Sequence, residues 1–386
     1  MNLITTPSKR WHALDLLRAV MMLLGIVLHA SESYTLSPND IWPRDPAAKS
    51  VFLNYLNSLI HVFRMPVFFV MAGFFGSMLF YGRGPGAMLS NRIKRIVFPF
   101  VVFLLILHPV ILLTTRFTAG AFSVTLTELS TEITFLPQIT YHLWFLYYLI
   151  LVTAFTFIVA LIIRKAAIPK QNITAIFEWL ALRKWAGILI PGIILFLVMV
   201  YRWDYTVPTP LYFVPDFGAF LFLVQFYLFG WMLYRSNELI GTFMQYNRLF
   251  VLVSIALFTA GFFWRQWFGD IMVGVIRASI IWMFVFGFTG LFIRYGSKAS
   301  ASARYISDSS YWVFLIHLPF TILFPGLMAG WALPAILKFL LSLSATTVIC
   351  YLSYHYAVRP TFLGKFLNGR KYPLVGGGHA APSSSS

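Results

Sequence analysis

Three features of this sequence predict an all-α polytopic membrane protein. The chain is 59% hydrophobic and 18% aromatic with only 11% charged residues, whereas soluble globular domains run at about 45–50% apolar and about 25% charged. Apolar stretches of about 20 residues, long enough to cross a bilayer as a helix, recur along its 386 residues. The basic residues behind the net charge of +17 fall in short loops between those stretches rather than on one polar face. That pattern excludes a nucleic-acid-binding surface and reads as topology determinants at the edge of membrane lipids.

Ten spans are expected, near 13–35, 54–81, 96–115, 139–163, 186–202, 210–234, 248–264, 271–293, 308–328 and 332–357. They divide the chain into an N-terminus of residues 1–12, a transmembrane domain of 13–357 and a tail of 358–386, low-complexity from Leu374 onward. Alternate connections hold clusters such as Arg83, Arg92, Lys94 and Arg95, or Arg164, Lys165, Arg183 and Lys184; the others hold only Arg44, Lys49, Arg116, Arg202 and Arg265. The positive-inside rule then puts both termini in the cytoplasm. The first span is too long for a cleaved signal peptide and lacks a small-residue cleavage site, so it is expected to stay as an anchor.

The first span, LDLLRAVMMLLGIVLHAS, carries Arg18 and His29. At about 100° per residue the step between them is three turns plus about 20°, with a rise of roughly 16 Å, so both lie on one stripe at two depths. Ionisable groups inside a span usually face a protein interior or wet cavity and mark function. Glu32, on the same face as His29, is either a partner that orients its imidazole or a solvated surface glutamate. Between spans one and two, SPNDIWPRDP is proline-rich without helical period, a candidate lid or re-entrant piece; so is the stretch with Glu128 and Glu132.

The second span holds His61 and Arg64 on one face, at a depth comparable to His29. Its Pro66 loosens the backbone and its Gly73 permits close approach of another helix. The turn GRGPGAMLSNRIKR before span three sets Arg92, Lys94 and Arg95 together; topology alone accounts for such a cluster, and an anionic ligand would also suit it. His142 and Trp144 open span four, where an interfacial aromatic belt is ordinary. Arg277 and Lys338 remain within spans eight and ten, and His317 falls midway along span nine.

Together, His29, His61, His142 and His317 exceed what packing needs. A histidine can act as general base near neutrality, while an arginine suits anion or oxyanion stabilisation. No metal is expected, because the histidines sit on separate spans without ligand spacing and the single cysteine, Cys350, lies in an apolar run. Neither a GxxxxGK[ST] loop nor a GxSxG elbow occurs.

These residues resemble the membrane acyltransferase-3 family. Arg18 and His29 match its R-x10-H signature, RMPVFFVMAGFF is similar to its F-F-V-x-S-G-F motif with Ala72 in place of serine, and SSYWVFLIHLP is similar to its S-x-Y-x-x-x-L-x-H-x-P motif. The likeness runs from Leu14 to Arg359. HVFRMPVFFVMAGFF, the arginine-rich turn and HLWFL look most like the family's glucan-modifying branch, enzymes of the Gram-negative inner membrane that succinylate osmoregulated periplasmic glucans. The resemblance implies succinyl-CoA as co-substrate, entering from the cytoplasm with its phosphates on Arg92, Lys94 and Arg95, and Arg18 deeper along the thioester path. It implies His29 as base toward a hydroxyl of a periplasmic beta-glucan, or as a covalent acyl carrier. Arg64 or His61 would stabilise the oxyanion or select a carboxylate-bearing acyl chain, with His142, Trp144, His317 and Glu32 lining the substrate site. The alternatives are O-acetylation of another envelope polysaccharide, such as O-antigen or exopolysaccharide, and a glucan transporter with Arg18, His29 and His317 along its path.

Overall fold

The computed structural model describes residues 11–36, 41–119, 137–169, 186–298 and 300–368, with 171, 174, 175, 177–179 and 372. The stretch with Glu128 and Glu132 and the tail from Leu374 lie outside the described residues, as do Lys170, Arg183 and Lys184.

Among the described residues the regular structure is helical, joined by loops, apart from an isolated antiparallel bridge between Ile139 and Tyr212. Its α-helices are α1 (His12–Glu32), α2 (Val51–Arg83), α3 (Pro85–Arg92), α4 (Phe98–Thr118), α5 (Trp144–Lys165), α6 (Ala186–Tyr201), α7 (Phe217–Arg235), α8 (Asn247–Phe263), α9 (Asp270–Tyr295), α10 (Ala301–Leu327), α11 (Ala335–Ser353) and α12 (Phe362–Asn368). Eight segments are long and apolar enough to cross a membrane: α1, α2, α3 continued through a π turn into α4, Tyr141–Lys165, α7, α9, α10, and α11 with the π turn that follows it. The expected fifth and seventh spans are shorter apolar helices, α6 and α8. The 17 residues of α8 reach about 25 Å as an α-helix, short of a hydrocarbon core of about 30 Å.

The bundle is built around α2, buried without a break from Val62 to Ser77. It packs against α1 and, most closely, against α7. A Cβ built on Gly73 would lie 1.9 Å from the Tyr227 carbonyl oxygen, and one on Gly230 would lie 1.9 Å from that of Val70. Each glycine therefore admits the other helix's backbone, the close approach that small residues permit where lipid supplies no hydrophobic drive. Pro66 interrupts neither end of this helix. α1 is held on its other sides by α10 and, less extensively, by α9 and α11.

Side chains close the exposed amides at several helix starts. Ser50 accepts from the Leu53 amide at α2, Asp216 from the Ala219 amide at α7, and Ser300 from the Ala303 amide at α10. The segment entering α5 is held by Thr140, whose amide and hydroxyl both donate to the Leu211 carbonyl at 2.7 and 2.8 Å. Tyr141 follows in a left-handed conformation at φ 48°, which is rare for an aromatic residue, and its hydroxyl bonds His108 Nδ1 at 2.9 Å. That turn brings His142 and Trp144 beneath the neighbouring helices, where both are buried.

Candidate active site

Two cavities lie at opposite ends of α1. The proximal one, about 390 Å³, opens beside the helix start and is lined by Trp11, Arg18, Ala72, Arg92, Arg95 and Tyr311 among others. The distal one, about 200 Å³, is lined by His29, Glu32, Trp42, Asn57, His61, Arg64, His142 and Trp144 among others. The single helical stripe thus serves two compartments, Arg18 one and His29 the other.

In the proximal cavity Arg18 lies 3.5 Å from Asp15 and over the Phe75 ring at 5.4 Å. Arg92 donates to the Ala72 carbonyl at 3.1 Å, and Arg95 donates to the Leu367 carbonyl at 2.8 Å. These bonds aim two guanidinium groups from α3 and the following π turn into one basin. Lys94, in the same turn, is exposed and does not line it.

His29, His61 and His142 line the distal cavity, and His317 packs behind them. The His29 imidazole lies 5.2 Å from that of His317, and His317 lies 5.1 Å from His142, centroid to centroid. Backbone carbonyls accept only, so each ring nitrogen that meets one carries a proton. His142 Nε2 donates to Leu315 at 3.1 Å, His317 Nδ1 to Phe314 at 2.6 Å and His61 Nε2 to Val207 at 3.1 Å. In the neutral rings this leaves His142 Nδ1 and His317 Nε2 as buried acceptors without a partner among the described residues; His29 Nδ1 is also buried without one.

Arg64 is the feature that defines the site's charge. It is only 4% exposed, its Nε is buried without a partner, and no ion pair or hydrogen bond of its guanidinium occurs among the described residues. A buried charge is costly unless it is paired. It fits there because α1 has a glycine opposite: a Cβ on Gly25, one turn before His29, would lie 2.4 Å from Arg64 Nη1 and 4.0 Å from His317 Nε2. A carboxylate or developing oxyanion at this point would meet a cation and a base in one desolvated space.

Two residues complete the pocket that sequence reasoning missed. The Trp42 indole stacks on His29 at 5.3 Å with 6° between planes, and Asn57 Nδ2 lies within 3.0–3.1 Å of the Leu28 carbonyl and Ser31 hydroxyl and 2.8 Å from Glu32 Oε2. Asn57 was legible, because 57, 61 and 64 repeat at i, i+4 and i+7 on one helical face. Trp42 was not: its segment has no period, and its position comes from Asp45, whose carboxylate pairs with the fully buried Lys338 of α11 at 2.5 Å. Glu32 sits in the cavity wall as Asn57's acceptor.

A bundle with a basic cavity at one end of α1 and a base-bearing cavity at the other is suited to group transfer across its middle. Residues 11–355 match the family of acyltransferase domains designated Acyl_transf_3; the chain belongs to that family and is a membrane acyltransferase. At 26% identity over 96% of this chain and 97% of theirs, it is similar to the proteins named glucans biosynthesis protein C from Salmonella schwarzengrund, Salmonella typhi and Salmonella typhimurium. No solved structure matches it.

Proposed function

We propose that this protein transfers a succinyl group from succinyl-CoA on the cytoplasmic side to hydroxyls of a periplasmic glucan, in the inner membrane of a Gram-negative cell. The observation that carries this reading is the buried Arg64 guanidinium, which has no anionic partner among the described residues and lies beside His29 and His317. The distal carboxylate of a succinyl group, or the thioester oxyanion, would supply the missing charge.

The coenzyme's phosphates bind at Arg92 and Arg95, with Arg18 farther along the path, and the acyl arm crosses toward Gly25. His29 accepts the proton of the glucan hydroxyl as its oxygen attacks the thioester carbonyl. The carbon–oxygen bond forms, the tetrahedral intermediate collapses with loss of the carbon–sulfur bond, and the proton passes to the departing thiolate. His317 and His142 present acceptor nitrogens near that step, and Trp42 holds the imidazole plane. The rise of roughly 16 Å between Arg18 and His29 suits an extended pantetheine arm. The names carried by the relatives at 26% identity supply the glucan.

The test is a mass spectrum of periplasmic glucans from a deletion strain complemented with wild type or with His29→Ala. Succinyl increments present with wild type and absent with an equally expressed His29→Ala support the reading. Glucans unchanged between the deletion strain and its wild-type complement would exclude them as the acceptor.

A further inference from the structure

A third cavity, about 320 Å³, adjoins the distal one, and the two share Asn57 and His61 in their walls. It lies between α2, α8 and α9, roofed by the loop that carries Thr206 and Val207. The His61–Val207 hydrogen bond is part of the partition between the two spaces. Its volume is within the range of small-molecule sites, about 300–1,000 Å³, whereas the His29 cavity falls below it.

We infer that this cavity is a second saccharide subsite, which holds the residue next to the reacting one in the acceptor chain and is anchored by Arg277. The inference rests on the acceptor being a polysaccharide, as proposed above. Its walls have the two chemistries that bind a pyranose ring. The Ser58 hydroxyl and the Asn57 amide oxygen offer polar groups, while Phe258 and Phe262 offer apolar faces to ring C–H bonds.

Arg277 is attracted by the Asp204 carboxylate of the facing loop and repelled by Arg265, yet most of its donors have no acceptor among the described residues. It reaches from within α9, and its Nη1 donates to the Tyr205 carbonyl at 3.1 Å. No other hydrogen bond and no ion pair of its guanidinium occurs among the described residues, and a guanidinium has five N–H donors. The second cation of the cavity is spoken for, because Arg265 pairs with Asp270 and donates to the Phe268 carbonyl. The loop facing Arg277 is held chiefly within itself: Asp204 accepts from Arg202, the Thr206 amide and the Thr206 hydroxyl. Arg277 adds its Tyr205 bond and the attraction of Asp204 to that loop and still has donors to spare beside the acceptor's path.

The test uses purified full-length protein, succinyl-CoA and beta-linked gluco-oligosaccharides of increasing length, glucose included. Wild type is expected to show a lower KM for a chain that fills both cavities than for glucose. Arg277→Gln should raise the oligosaccharide KM about tenfold, the scale of a hydrogen bond to a charged group, and leave the KM for glucose and for succinyl-CoA unchanged. Gly261→Leu is an independent probe, because Gly261 lines the cavity and a Cβ there meets nothing within 4 Å; it should fill the subsite without disturbing α8 and give the same length-selective loss. Chain-length dependence retained in folded Arg277→Gln or in Gly261→Leu overturns the subsite alone. No transfer to any glucan by wild type, despite succinyl-CoA turnover, overturns the glucan reading and the subsite with it.

Discussion

The indole of Trp42 lies parallel to the imidazole of His29, with centroids 5.3 Å apart and planes 6° from coplanar. One ring belongs to α1 and the other to a loop without regular structure, so the catalytic candidate is oriented by a side chain distant from it in local pattern. An aromatic pair contributes about 0.5–1.5 kcal/mol beyond buried area. Trp42→Ala should therefore lower kcat for acyl transfer several-fold while Trp42→Phe keeps most of it, as measured by thiol release with acceptor present.

The loop bearing Trp42 is tied down by Asp45 and Lys338, both buried and 2.5 Å apart. Removing one partner of such a pair leaves an uncompensated charge, at a cost of about 3–5 kcal/mol. Lys338→Met or Asp45→Asn alone should lower the thermal unfolding midpoint markedly, and the double variant should recover much of the loss. Unfolding of detergent-solubilised protein, followed by intrinsic fluorescence, checks both.

Two glycines should fail in different ways. A Cβ at Gly73 meets the backbone of α7 at 1.9 Å, which cannot yield locally. Gly73→Ala should reduce folded yield. At Gly25 the obstacle is the end of the Arg64 side chain, which can move, so Gly25→Ala should fold and lose turnover instead. Size-exclusion profiles and acyl-transfer rates on the same preparations separate the two.

Arg64 is assigned an anionic partner from the substrate. If that partner is the succinyl carboxylate, Arg64→Gln should lower kcat/KM for succinyl-CoA at least tenfold, the scale of one lost charged hydrogen bond, and change acetyl-CoA little. An equal loss for both donors would assign the cation to the oxyanion instead. Competition between the two donors at fixed acceptor reads the ratio directly.

The spans were legible in the sequence because lipid demands long apolar helices, and that demand is local. It weakens at α6 and α8, where the apolar runs are short and many of each helix's apolar side chains stay exposed. Arg18 and His29 were legible as one stripe by helical period alone. Their division between two cavities was not, since Ala72, Arg92 and Tyr311 close one and Trp42, Asn57 and His142 the other, and those meet only by packing between helices. The arginine-rich turn looked like one cluster of three; helical rotation aims Arg92 and Arg95 into the proximal cavity and leaves Lys94 exposed. Lys338 read as an isolated intramembrane charge because its partner, Asp45, is 293 positions away.

The most direct measurement is acyl transfer by purified protein, wild type against His29→Ala, with succinyl-CoA and a gluco-oligosaccharide acceptor, product mass and thiol release recorded together. A His29 base predicts succinylated oligosaccharide in step with thiol release for wild type, and loss of both by about 10²–10⁴-fold in a folded His29→Ala. Undiminished transfer by His29→Ala would contradict the central role of this histidine.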